Sequence, residues 1–285
     1  MRVIYITGAS HSGSTLLAMM LNAHPEIISV GELYKLNMKL KQNAETGAYP
    51  PCSCGAPSLW QCEFWSRVNN RIQAKTNGSL ADLDLLDFFN TEGRSAPNAV
   101  LLRTISEVSG KPIVVDSSKR IDRLSYPART EGTGYLSHCS LQGSKGPRNV
   151  SSIRRKCGGF LVPILRYEHV YSKLRWKLRS VPHSVVRYED LVRHPERSLR
   201  HLLKPLGLDF HPQQLKWGHE ANHFVGGNRL RRQRPGDSEL ILDERWKGSL
   251  TRTQAAVIDL LTMNSKRMCR DAHRMRLAQP AVPDC

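Results

Sequence analysis

The sequence predicts an α/β fold with a central parallel sheet, and three segments carry that prediction. Arg2–Thr7 is a short apolar run rich in β-branched residues, followed by a glycine-bounded loop and a stretch with helical character. Residues 113–115 form a second apolar run, and residues 184–187, with two valines, are predicted to be a strand that runs into Tyr188-Glu189-Asp190-Leu191. Short apolar runs of this kind are typical of buried strands in a parallel sheet. The 285 residues can bury a sizeable core, so one domain over 1–285 is the simplest organisation.

The first strand leads into a loop with the G-x-x-x-x-G-x-[ST] spacing of a phosphate-binding P-loop, Gly8-Ala9-Ser10-His11-Ser12-Gly13-Ser14-Thr15. Its two glycines permit a tight turn, and the free amides at the start of the next helix favour an anion. Ser14 stands where a nucleotide triphosphatase carries the lysine that reaches the β- and γ-phosphates. The strand, loop and helix therefore predict a P-loop NTPase-like three-layer sandwich. The serine in place of the lysine predicts that the bound nucleotide does not end in a γ-phosphate. The alternative is a glycine-rich turn without a ligand.

Polar residues follow the second apolar run, in the order Asp116, Ser117, Ser118 and Lys119. The carboxyl ends of parallel strands meet at the edge where doubly wound sheets bind ligands, so these residues are predicted to lie near the P-loop. The alternative is a strand-to-helix turn in which Asp116 or Ser117 caps the next helix.

The C-terminal third contains two clear helix signals and one basic loop. Pro195 is predicted to begin a helix whose leucines face the core and which ends at Gly207. Thr251 and Gln254 form a capping box that opens a last helix. Residues 223–232 combine glycines with an arginine cluster, which suits a loop that closes over an anion, although a solvated basic run is the alternative.

The composition favours anionic ligands, because 42 Lys and Arg against 25 Asp and Glu give a formal net charge of +17. Aromatic residues make up only 7% and do not alternate with basic ones, so nucleic acid is not the expected partner. The sequence predicts no transmembrane segment. The first strand begins at Arg2, which leaves no room for a signal peptide, and the seven cysteines are an odd number. A cytoplasmic protein with reduced thiols is therefore expected.

These motifs, together with Asn22-Ala23-His24-Pro25-Glu26, Gly31-Glu32-Leu33 and Tyr188-Glu189-Asp190-Leu191, resemble the sulfotransferases that use 3′-phosphoadenosine 5′-phosphosulfate (PAPS). The resemblance is closest to bacterial members and to tyrosylprotein sulfotransferases. It implies transfer of a sulfuryl group from PAPS to a hydroxyl or amine of an unidentified acceptor, expected to be a carbohydrate or a small molecule. It implies no metal.

The resemblance also implies roles for individual residues. Glu32 lies where the tyrosylprotein enzymes place a catalytic glutamate, and it is the expected base; Lys119 and His11 complete the catalytic set. His11 stands where the family usually has an arginine, which makes any charge there dependent on pH. Arg148 and Ser152 are expected to bind the 3′-phosphate. The residues expected to bind the nucleotide are Ser10, His11, Ser12, Gly13, Ser14, Thr15, Ser118, Arg148, Ser152, Asn228 and Arg229.

The sequence patterns are weaker predictors of structure in three regions, residues 32–100, 132–146 and 270–285. Residues 32–100 are expected to be an insertion on the acceptor side. Cys52, Cys54 and Cys62 within it could bind zinc, but no fourth ligand follows at a suitable distance, so a packed loop is expected instead. Residues 132–146 are rich in glycine and serine, so the pattern predicts a loop where the resemblance requires a strand. Residues 270–285 are expected to form a loose tail.

Two other functions stay open on the sequence. In a P-loop kinase, Asp116 would hold magnesium, but the missing P-loop lysine argues against that activity. A non-catalytic nucleotide-binding relative is the other alternative, because the expected strand at 132–146 is poorly encoded.

Overall fold

The structure is a computed structural model that describes residues 1–9, 12–43, 46–83, 85, 97–121, 134–141, 161–180, 182–228, 239–242, 244, 251–263 and 266–267. Within these ranges five strands form one sheet: β1 Arg2–Thr7, β2 Ile27–Ser29, β3 Ile113–Lys119, β4 Gly134–Leu141 and β5 His183–Arg187. Their order is β2-β3-β1-β4-β5, and each neighbouring pair is parallel. The predicted α/β class with a central parallel sheet is confirmed.

Helices cover both faces of the sheet. The α-helices of the described ranges are α1 Ser14–Asn22, α2 Leu36–Lys39, α3 Glu63–Thr76, α4 Pro97–Ser109, α5 Leu161–Lys177, α6 Tyr188–Arg193, α7 Pro195–Leu203 and α8 Arg252–Leu261. Short 3₁₀ helices span Leu33–Lys35, Leu80–Asp82, Leu178–Ser180, Lys204–Leu206 and Pro212–His219. No helix in the described parts of the chain is both long and apolar enough to cross a membrane.

The central strand β1 separates the core into two layers because alternate side chains point to opposite faces. Ile4 and Ile6 pack with the apolar residues of α1 and α7 on one face. On the other face Val3 joins the cluster built from α3 and α4, and Tyr5 packs against α5. This is the three-layer arrangement that the sequence predicts.

The prediction of a loop at residues 132–146 is wrong for the central part of that segment. Residues 134–141 form β4, which pairs with β1 from Arg2 to Thr7 and with β5 from His183 to Arg187. A central strand such as β1 must pair its backbone N–H and C=O groups on both sides. Neighbouring strands therefore impose extended backbone on a segment whose own composition favours a turn. The flanking residues 132, 133 and 142–146 lie outside the described ranges.

Two predicted helix boundaries are confirmed. Pro195 is the first residue of α7, whose leucines are buried, and Gly207 follows the chain's next 3₁₀ turn with a left-handed φ of 65°. The Thr251 side chain accepts a hydrogen bond from the Gln254 backbone N–H, and the Gln254 side chain accepts one from the Thr251 N–H. The predicted tail at 270–285 lies outside the described ranges.

Candidate active site

The glycine-bounded loop joins β1 to the N-terminus of α1. Gly13 occupies the N-cap of α1 with φ 78°, a conformation that costs little only for glycine. A Cβ at this position would lie 2.5 Å from the ring of Tyr188, so the aromatic ring at the start of α6 packs directly on the loop. The Ala9 N–H donates a hydrogen bond to the Tyr171 hydroxyl of α5 at 3.3 Å. Two elements distant in sequence thus fix a loop whose first helical turn offers free N–H groups to an anion.

The end of β3 is hydrogen-bonded to the chain that follows β2. Ser117 N–H donates to the Gly31 carbonyl at 2.8 Å, and Leu33 N–H donates to Asp116 Oδ1 at 3.3 Å. Ser118 Oγ donates to the same carboxylate oxygen and accepts a hydrogen bond from Tyr34 N–H at 3.2 Å. Because Thr7 lies opposite Lys119 in the β1–β3 register, these bonds hold residues 31–34 at the carboxyl edge of the sheet, beside the loop.

Glu32 is a buried carboxylate paired with two lysines. Its Oε1 lies 2.6 Å from Lys119 Nζ, its Oε2 contacts Lys35 Nζ, and the residue is only 3% exposed. Burial by itself would raise the pKa of Glu32, but the charge and hydrogen bond of Lys119, followed by those of Lys35, lower it overall. The carboxylate is therefore ionised at neutral pH.

Lys119 has an unusual backbone conformation for a non-glycine residue, with φ 62° at the end of β3. A left-handed lysine is disfavoured, and such residues persist where their surroundings hold them. Here the strand pairing before Lys119 and the ion pair to Glu32 hold it. The side chain is 18% exposed, so its charge is only partly screened by solvent.

Residues 222–228 have no regular secondary structure and form a segment, hereafter the 222–228 segment, that connects Glu32 to the loop. Val225 N–H donates to the Val30 carbonyl at 2.9 Å, and Asn228 N–H donates to Thr15 Oγ1 at 3.1 Å. A Cβ on Gly226 would lie 3.0 Å from the Glu32 Cβ, and one on Gly227 would lie 3.1 Å from Thr15 Oγ1. Adjacent residues of one segment therefore contact the carboxylate and the loop, which places the two at one site.

The structure brings together eight of the residues predicted for the site. Ser12, Ser14 and Thr15 are buried in the loop or the first turn of α1, and Ser118 is buried beside the Glu32–Lys119 pair. Gly13 caps α1 and Asn228 contacts it through its backbone. The other predicted residues lie outside the described ranges, namely Ser10, His11, Arg148, Ser152 and Arg229.

Sequence reasoning missed three contributors to this region: Lys35, Tyr188 and Gly226. Lys35 pairs with Glu32. Burial by itself would lower the Lys35 pKa, but the hydrogen bonds and charges of Glu32 and then of Tyr34 together raise it. In the sequence, Tyr188 is recognisable only as part of a motif, and Gly226 only as part of a basic loop. No local spacing rule connects residues so far apart, so only the packing reveals these contacts.

The sequence offers no fourth ligand at a suitable spacing from Cys52, Cys54 and Cys62, but the fold places a histidine beside them. His223, in the 222–228 segment, lies with them so that the four ligand atoms are within 4.8 Å of one another. No spacing pattern near the cysteines predicts His223, because the fold brings it in from the C-terminal third of the chain.

Comparisons with known proteins identify the fold. No family model matches the chain, and no curated protein matches it. The sulfotransferase domain from the curacin biosynthetic pathway is 16% identical with a TM-score of 0.51, over 91% of this chain and 96% of that one. The sulfotransferase domain from the Synechococcus PCC 7002 olefin synthase is 18% identical with a TM-score of 0.53, over 94% of each chain. The resemblance drawn from the motifs is thus confirmed at the level of the fold.

Proposed function

We propose that this chain, which has the fold of those sulfotransferase domains, transfers a sulfuryl group from PAPS to a hydroxyl or amine of an acceptor. One observation carries the proposal: an ionised glutamate paired with a lysine lies at the same sheet edge as a glycine-bounded loop that lacks the P-loop lysine. The acceptor proposed is a carbohydrate or a small molecule.

The donor is proposed to bind with its 5′-phosphosulfate against the loop. The N–H groups of the first turn of α1 and the helix dipole both favour an anion at this position. Ser12, Gly13, Ser14 and Thr15 line this end of the helix. Ser10 and His11 would complete the loop, and Arg148, Ser152 and Arg229 are proposed to reach the nucleotide from regions outside the described ranges.

The transfer is proposed to be an in-line displacement. Glu32 accepts the proton of the acceptor hydroxyl or amine. The acceptor's oxygen or nitrogen forms a bond to sulfur, and the bond from sulfur to the bridging phosphate oxygen breaks. Negative charge then develops on that oxygen, where Lys119 supplies a partly desolvated cation. Glu32 is deprotonated before the reaction, because its pKa is lowered from a value that is already below neutral.

The hydrogen bonds of the Asp116 carboxylate do not support the kinase alternative, in which this residue would hold magnesium. Its Oδ1 accepts hydrogen bonds from the backbone of Leu33 and from both the backbone and the hydroxyl of Ser118. This carboxylate oxygen joins the end of β3 to the chain that follows β2, which is a structural role.

A thermal-shift comparison tests the proposed donor. The product nucleotide 3′-phosphoadenosine 5′-phosphate (PAP) should raise the melting temperature, because a ligand that binds only the folded state stabilises it. ATP with magnesium should change it little, because Ser14 replaces the lysine that grips a γ-phosphate. A larger shift with ATP and magnesium than with PAP would contradict the proposal and favour a kinase.

A further inference from the structure

Three cysteines and one histidine converge beside the active-site region without a role in the proposed transfer. Cys54 Sγ lies 3.7 Å from Cys62 Sγ, and Cys62 Sγ lies 3.2 Å from His223 Nδ1. Cys52 completes a group whose four ligand atoms are all within 4.8 Å of one another. Cys52 and Cys62 are buried and Cys54 is exposed, so the group lies just below the surface with one open side.

These distances fit a tetrahedral metal site better than a disulfide. Zinc bonds to sulfur at about 2.3 Å and to nitrogen at about 2.0 Å, so neighbouring sulfurs of a regular tetrahedron lie about 3.8 Å apart and sulfur and nitrogen about 3.5 Å apart. The observed separations of 3.7 and 3.2 Å are close to those edges. A disulfide needs its sulfur atoms at about 2.05 Å.

The backbone around the cysteines is arranged as a tight turn. Cys52 N–H donates to the Ala56 carbonyl at 2.9 Å, and Gly55 N–H donates to the Cys52 carbonyl at 3.2 Å. Gly55 has φ 98°, which a residue with a side chain rarely adopts. The turn thereby brings the side chains of Cys52 and Cys54 toward Cys62, which is the N-cap of α3.

Independent contacts hold His223 toward the cysteines. Its ring stacks on Phe64 with centroids 4.7 Å apart and planes 14° from parallel, and its carbonyl accepts a hydrogen bond from Trp65 Nε1 at 2.9 Å. On the other side, Ser53 Oγ donates to the Asn222 carbonyl and accepts from Phe224 N–H. Ligands positioned by outer contacts of this kind are typical of metal sites.

We propose that Cys52, Cys54, Cys62 and His223 bind one Zn²⁺ in a structural site. Three thiolates and one imidazole are a common ligand set for structural zinc, and soft sulfur ligands exclude magnesium and calcium. Four protein ligands fill the tetrahedron and leave no position for a substrate. The ion therefore stabilises the fold and takes no part in the transfer.

The bound zinc joins two parts of the chain that are far apart in the sequence. It fastens the cysteine turn and α3 to the 222–228 segment, whose Gly226 contacts Glu32 and whose Asn228 contacts Thr15. Zinc loss should therefore loosen that segment as well as lower the overall stability, because metal-binding free energy contributes to folding.

Metal analysis of the full-length chain, purified in reducing buffer without an affinity tag that binds metal, tests the proposal. One zinc per chain is expected. Cys54→Ser should lose most of it, since this exposed ligand is the least involved in packing. Ser53→Ala is the matched control, because it removes a hydrogen-bonding group between the same two segments but no ligand atom. It should retain the zinc.

Cobalt substitution supplies a second measurement on the unaltered chain. Co²⁺ should give the intense visible bands of a tetrahedral site and the sulfur-to-metal charge transfer of thiolate ligands, and Zn²⁺ should displace it. These spectra test for a tetrahedral thiolate site in the unaltered chain, so they do not depend on whether a variant folds. The proposal is overturned if the chain holds no zinc after incubation with Zn²⁺ in reducing buffer, or if Co²⁺ gives only octahedral spectra. Equal zinc in Cys54→Ser and the unaltered chain would also overturn it.

Discussion

Glu32 Oε1 and Lys119 Nζ lie 2.6 Å apart at the carboxyl ends of two neighbouring strands, β2 and β3. Glu32 directly follows Gly31 in the chain after β2, and Lys119 is the last residue of β3 and has a left-handed conformation. The pair places a proton acceptor and a cation next to each other, with little exposure to solvent. Sulfuryl transfer as proposed above needs both groups.

Glu32→Gln is expected to slow sulfuryl transfer, because glutamine keeps the size and polarity of glutamate but cannot accept a proton. Loss of a general base lowers turnover by about 10²–10⁴-fold. PAP binding, measured by calorimetry, should change little. Near-normal turnover of the variant on a verified acceptor would show that Glu32 is not the base, and His11 would then be the next residue to test.

The two lysines beside Glu32 are expected to differ in effect. Lys119→Ala should lower turnover by roughly 10²–10³-fold, as expected for the loss of one group that stabilises charge in the transition state. Lys35→Ala removes the other lysine partner of Glu32, whose side chain is 34% exposed against 18% for Lys119. This variant should lose much less turnover, because solvent screens the more exposed charge. Equal losses in steady-state turnover would mean that Lys119 only holds Glu32 in place.

Acid should remove the stabilising contribution of the Glu32 carboxylate. Burial by itself would raise its pKa, but the charges and hydrogen bonds of Lys119 and Lys35 together lower the pKa in the folded chain. The contribution is therefore complete above the ordinary glutamate pKa and is lost as the pH falls through the lowered value. Urea unfolding should show that the unaltered chain exceeds Glu32→Gln in the free energy of unfolding near pH 7, and that this difference shrinks toward acid.

Glu107→Gln is the matched control for that measurement. Glu107 also pairs with two basic residues, with Lys75 at 2.7 Å and Arg71 at 3.7 Å, but its side chain is 44% exposed. Exposed ion pairs contribute about 0–1 kcal/mol. If Glu107→Gln costs as much stability at neutral pH as Glu32→Gln does, burial of the Glu32 pair has no special effect.

Gly226→Ala should disturb the active site through steric contact alone. The new Cβ would lie 3.0 Å from Glu32 Cβ and 3.1 Å from both Glu32 Oε2 and Lys35 Cδ, which requires these groups to shift. Overpacking of this kind typically costs about 1–3 kcal/mol. We expect a lower melting temperature together with reduced turnover.

Gly78→Ala provides the comparison, because its Cβ would find its nearest neighbours at 3.7 Å, an ordinary van der Waals separation. It should leave turnover unchanged and the melting temperature close to that of the unaltered chain. Normal turnover in Gly226→Ala as well would mean that the 222–228 segment does not need to lie against Glu32 for the reaction.

The sequence by itself determined the elements that carry a local signal. An apolar run followed by a glycine-bounded loop and a helix identified β1, the loop and α1, and the run at 113–115 identified β3. Proline, periodic leucines and glycine set the limits of α7. The family resemblance carried by these motifs pointed to Glu32 and Lys119 as site residues. Each of these signals depends on residues within one element, where backbone geometry fixes the spacing.

Only the tertiary structure decided the contacts between distant segments. Strand β4 forms because β1 and β5 pair with its backbone, which its glycine- and serine-rich sequence does not reveal. The ion pair of Glu32 with Lys119, the contact of Gly226 with Glu32, and the approach of His223 to Cys62 each join residues far apart in the chain. No spacing rule encodes such contacts, because they depend on how the whole chain packs.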